Sequence, residues 1–164
     1  MNIIGIDPSL ISTAVAIKTN DNIKLYNYCR ESDAWGKKTL KKWFKLADEY
    51  VEYKFIDYRK FDSYSDGELI KLKDYDKITN QIIQDIKKNI DKTKQTKVFI
   101  EGFNFGATVG DLVDLVSFST LLRKKIFDDI TQSITVLSPS TLKLGSCKLT
   151  YKPIIKEISG KKPR

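Results

Sequence analysis

The sequence contains no histidine. That absence excludes Ser–His and Cys–His nucleophilic catalysis, and any zinc site built on imidazole. Chemistry must rest on carboxylates, lysines, hydroxyls or a hard metal ion. Cysteine is nearly as scarce. Cys29 and Cys147 stand far apart without metal-ligand spacing, and read as free thiols of an intracellular protein. Long apolar runs are missing too: the longest charge-free stretch, Ile130 to Leu142, is 13 residues and includes Ser and Pro. It is too short and too polar to span a bilayer, so no membrane partner is expected. Asp7 and Pro8 interrupt any basic-then-apolar leader, which argues against secretion and for a cytoplasmic location.

What is present describes a globular chain. Its 164 residues, read as one domain over 1–164, suffice for a full core, and 41% hydrophobic content excludes general disorder. The net charge of +8 fits a polyanionic partner. Its distribution says more than its size. Between Leu137 and Arg164 lie seven basic residues against one acid, Glu157, a polarity that suits phosphate contact.

The pattern along the chain is β-β-β, an irregular segment, then α-β-α-β-α. Strands are expected at residues 2–7, 11–18 and 23–28, with a turn at Thr19-Asn20-Asp21-Asn22. Residues 37–48 have helical spacing, 50–58 alternate enough for a strand, and 61–67 look like a loop. Ile78, Ile82, Ile83, Ile86 and Ile90 form one stripe of a helix over 76–91. A strand follows at 98–101, then a Gly-bearing loop and a helix over 111–128. Arg123, Lys124 and Lys125 in its second half suit the negative end of the helix dipole. A short strand at 134–137 comes next, and a last helix starts near Thr150. The expected fold is α/β: a mixed five-stranded sheet, three antiparallel strands then parallel βαβ units, with helices on both faces.

Two of these strands end in acids. Ile3-Ile4-Gly5-Ile6-Asp7 and Val98-Phe99-Ile100-Glu101 are apolar runs, dense enough for strands buried on both faces, so each carboxylate emerges at the rim of a sheet. Asp7 alone could simply cap the Asp-Pro-Ser turn. Glu101 is costly to bury without a cation beside it. At neighbouring strand ends the pair makes a hard-oxygen site for Mg²⁺, with Mn²⁺ as a substitute. Asp111 and Asp114 read instead as first-turn helix acids.

Gly5-Ile6-Asp7-Pro8-Ser9, Ile100-Glu101-Gly102 and Ser138-Pro139-Ser140-Thr141-Leu142-Lys143, in that order, resemble RuvC-like Holliday junction resolvases. The chain looks most like the shorter bacteriophage and viral members. The resemblance implies an RNase H-like fold, a homodimer, and Mg²⁺-dependent paired nicking of a four-way DNA junction in the cytoplasm, the host's if the source is viral. Carried onto this chain, it makes Asp7 and Glu101 catalytic metal ligands. Lys143, Lys148 and Lys152 become DNA contacts. Phe103, Asn104 and Phe105 become the segment that meets the branch, with either Phe as an aromatic wedge. The apolar edge Val113, Val116 and Leu121 suits a twofold interface. The resemblance also implies an Asp-x-x-Asp pair on a last helix, and residues 160–164 stand about where that helix would begin. The expectation is therefore a chain cut short of it, or a module that binds branched DNA without cutting.

Overall fold

The computed structural model describes residues 1–20, 22–30, 47, 49–56, 63–103 and 109–150. Six strands make one sheet: β1 (Asn2–Asp7), β2 (Ser12–Thr19), β3 (Asn22–Arg30), β4 (Val51–Ile56), β5 (Thr96–Glu101) and β6 (Ile134–Leu137). Three helices accompany them, α1 (Tyr64–Asn89), α2 (Val109–Asp129) and α3 (Pro139–Thr150). The strand order is β4-β3-β2-β1-β5-β6. β1, β2 and β3 pair antiparallel, while β1–β5, β5–β6 and β3–β4 pair parallel. The mixed α/β architecture stands as expected, with one strand more than the five counted. That strand is β4. It joins the outer edge of β3 in parallel, from Leu25↔Val51 to Arg30↔Ile56. The helix expected over 37–48 falls outside the described residues save for Ala47.

Alternation decides what each face does. Along β1, Asn2, Ile4 and Ile6 are buried while Ile3 and Gly5 are half-buried and Asp7 is exposed. The buried set joins Val15, Ile17, Tyr26, Tyr28, Val98 and Ile100 in one core, closed by Ile78, Ile82 and Ile86 of α1 and Phe118, Leu122 and Ile126 of α2. Both helices therefore cover this face. α3 borders the other, where Leu142 joins Leu137 beside the sheet.

Serine side chains mark the start of two helices. α1 starts at Tyr64, inside the expected loop, because the Ser63 side chain accepts a hydrogen bond from the Asp66 N–H at 3.2 Å and caps it. α3 spans Pro139–Thr150, where the sequence suggested no helix, and the helix expected beyond Thr150 lies outside the described residues. Ser138 caps α3 through the Thr141 N–H at 3.2 Å, and Pro139 suits the first turn because its missing N–H is not needed there. The turn between β2 and β3 falls as expected, with Asn20 in the left-handed region at φ 56°. Among the described residues, no helix is long and apolar enough to cross a membrane.

Candidate metal and nucleic-acid site

β1 and β5 lie side by side in parallel, paired from Asn2↔Thr96 to Ile6↔Ile100. Their next residues, Asp7 and Glu101, therefore emerge together at the carboxyl edge of the sheet. The two carboxyl groups are within hydrogen-bonding reach of each other. Burial first, and then the charge and hydrogen bond of Asp7, hold the Glu101 carboxyl above the usual carboxylate range; Lys143 acts in the opposite sense. Two acids that repel each other this closely have an unmet need for positive charge.

The local backbone holds each acid in place. Beyond Asp7, buried Thr13 ties the Pro8-Ser9 turn to β2, donating to the Ser9 carbonyl at 2.7 Å and accepting from the Ser9 N–H at 3.3 Å. Beyond Glu101, the Gly102 N–H donates to the Leu137 carbonyl at 2.7 Å. A Cβ on Gly102 would stand 3.2 Å from that oxygen and 3.4 Å from Val136 Cγ1. Glycine thus lets β5 leave the sheet tight against β6.

Asp7 and Glu101 stand at one end of a groove of about 410 Å³ on the face away from α1 and α2. Gly5, Ala14 and Ala16 make its shallow floor, and Leu25, Tyr53 and Phe99 rise around it. A Cβ on Gly5 would meet nothing within 4 Å, so the floor is open above it.

The donor set suits a hard divalent cation: two carboxyl groups, oxygen donors only, at a rim open to solvent on the Asp7 side. Asp7 and Glu101 would hold it. Among the described residues, no group of three or more His, Cys, Asp or Glu side chains gathers to hold a metal, so the pair stands as a pair.

The remaining expected site residues divide. Lys143 is exposed in α3 and close enough to act on Glu101. Phe103 is half-buried and packs over the Arg123 guanidinium, 4.7 Å from its ring centroid. Asn104, Phe105 and Lys152 lie outside the described residues, as does the side chain of Lys148, whose backbone belongs to α3. Asp114 pairs with Lys71 of α1 at 3.0 Å. Along α2, Val113 is 58% exposed and Val116 37%, whereas Leu121 packs against the core and so leaves that edge. Arg123, Lys124 and Lys125 miss the last turn of α2 and do not serve its dipole. Lys124 pairs with Asp128, and Lys125 reaches across to Asp76 and Asn80 of α1, each at 2.6 Å. Arg123, which sequence reasoning grouped with them, is the one that reaches Phe103; nothing in the basic triplet marks it out.

No protein-family profile matches the sequence, and no curated protein is similar to it in sequence. Among solved structures, the chain is similar to T. thermophilus RuvC in complex with a Holliday junction substrate. The TM-score is 0.52 at 11% identity, covering 100% of this chain and 83% of that one. At that identity the likeness bears on the fold alone, which is RuvC-like and RNase H-like.

Proposed function

We propose that this chain is a metal-dependent endonuclease that acts on Holliday junctions or other branched DNA by paired nicking. One observation carries the reading: Asp7 and Glu101 bring two mutually repelling carboxyl groups together at adjacent strand ends. The fold supports the choice of substrate, since the similar solved structure holds a Holliday junction. Likeness to phage and viral members rests on the sequence motifs alone.

In this reading Asp7 and Glu101 hold Mg²⁺, or Mn²⁺ in its place. Bound there, such an ion lowers the pKa of water and offsets charge developing on a phosphodiester. The chain's own residues position the substrate. Lys143 stands by Glu101 to meet a backbone phosphate, with Lys148 and Lys152 extending that contact along the chain. Phe103, Asn104 and Phe105 follow Glu101 across Gly102 and meet the branch point. A second copy, packed through the exposed Val113 and Val116 of α2, would supply the second nick. The site of action is the cytoplasm.

A four-way junction incubated with the chain should be cut at paired positions with Mg²⁺ and left intact when the metal is chelated. A second reading has its own support: among the described residues no third acid joins the pair. In that reading the chain binds branched DNA without cutting. Calorimetric titration with Mg²⁺ or Mn²⁺ separates the two, because a two-carboxylate site completed by no further ligand should bind metal only weakly.

A further inference from the structure

Arg123 is unused by everything above. Its side chain is half-buried on α2, yet its Nε and Nη2 are sealed from solvent and find no hydrogen-bond partner among the described residues. Burial is the one cause that moves its pKa, downwards, and among the described residues no carboxylate neutralises it. The next two residues of the helix, Lys124 and Lys125, both have carboxylate partners. What covers the guanidinium is the Phe103 ring. An aromatic face attracts a cation but leaves a planar fork of N–H donors unsatisfied. A shielded charge without a partner is unfavourable, and an apolar side chain of similar length would fill the same space without that penalty. Phe103 stands two residues beyond Glu101, so the covered cation lies by the end of β5.

We infer that Arg123 is a covered anion-binding group: when the Phe103 ring turns aside, the guanidinium fork takes the oxygens of a phosphate. The fork matches phosphate geometry and is always charged, which a lysine's point charge does not reproduce. The choice of a nucleic-acid backbone as the source of that phosphate rests on the proposed function; a free phosphate anion has the same chemistry.

The test uses the full chain with ¹⁵N-labelled arginine. The Arg123 Nε–H resonance, assigned by its loss in Arg123→Met, is followed while inorganic phosphate is added. It should shift in the wild type, and at lower phosphate in Phe103→Ala, where the cover is gone. No shift in either protein overturns the inference. DNA supplies the second arm, measured without divalent metal. Arg123→Met should flatten the slope of log K against log salt by about 0.9, the value of one phosphate contact, and Arg123→Lys should restore part of it. A phosphate response with an unchanged slope overturns the backbone source and leaves a free anion as the ligand. If the wild-type chain binds no DNA at all, the nuclease reading fails, and the phosphate titration still decides the site. Arg123→Met should melt no lower than wild type. A large drop in melting temperature, with the wild-type resonance unmoved by phosphate, would instead make Arg123 a structural support for Phe103.

Discussion

Glu101 is where burial, like charge and a lysine act on one side chain. The apolar residues of β5 carry it to the rim, Asp7 of β1 meets it there, and Lys143 relieves it in part. Without bound cation that arrangement should weaken the fold slightly. A like-charge contact screened as in bulk water, as at this solvent-open rim, costs about 1 kcal/mol. Glu101→Gln removes it and should raise the melting temperature of the metal-free protein by about 2–4 °C in a chain of this size. Scanning calorimetry in chelator checks this, and a lower melting temperature would mean the pair is not in conflict. These two acids were legible in the sequence because apolar strands give a terminal carboxylate few other uses. Arg123 was not: Arg123-Lys124-Lys125 reads as uniform charge, and packing alone distinguishes the member with no carboxylate beside it among the described residues.

Among the elements, α3 matters most to the site, because it carries Lys143. Its start depends on Ser138, whose side chain accepts the Thr141 N–H and shares hydroxyl contacts with Ser140 and Thr141 at 2.9 and 2.8 Å. Ser138→Ala should cost about 1 kcal/mol. Because it loosens the helix that presents Lys143, it should also weaken DNA binding, which fluorescence anisotropy would read beside a thermal melt. The core helix offers a larger effect. Ile82 is wholly buried between sheet and helices, and Ile82→Ala should cost about 2–5 kcal/mol in urea unfolding. The isoleucine stripe that predicts this part of α1 stops short of its beginning. Leu69 and Leu72, each 59% exposed, break the amphipathic pattern there, so the cap at Ser63 is the signal that marks the start. At α3 the Ser138-Pro139 pair is a comparable signal, overshadowed by the reading of those residues as a phosphate-binding motif.

Across the whole molecule, the sheet joins two regions of different character. Its carboxyl edge is a strained, charge-bearing rim. Elsewhere buried polar groups of the sheet find partners: Asn2 donates to the Asp91 carbonyl and to Thr96 Oγ1, each at 2.9 Å, and Tyr28 donates to Asp85 at 2.9 Å. Burial, followed by the charge of Asp85, pushes the Tyr28 phenol well above its ordinary value near 10. The folded chain therefore keeps that proton at a pH where the unfolded chain releases it. Stability from this group is complete below about pH 10 and declines as pH rises beyond it. Thermal melts between pH 9 and 11 should show a steeper alkaline loss for wild type than for Tyr28→Phe. The central claim concerns the other edge, and cleavage of a labelled four-way junction in Mg²⁺ tests it most directly. Wild type should cut in pairs, while Asp7→Asn and Glu101→Gln bind the junction with undiminished affinity and leave it whole. Near-normal cutting by either variant would contradict the account.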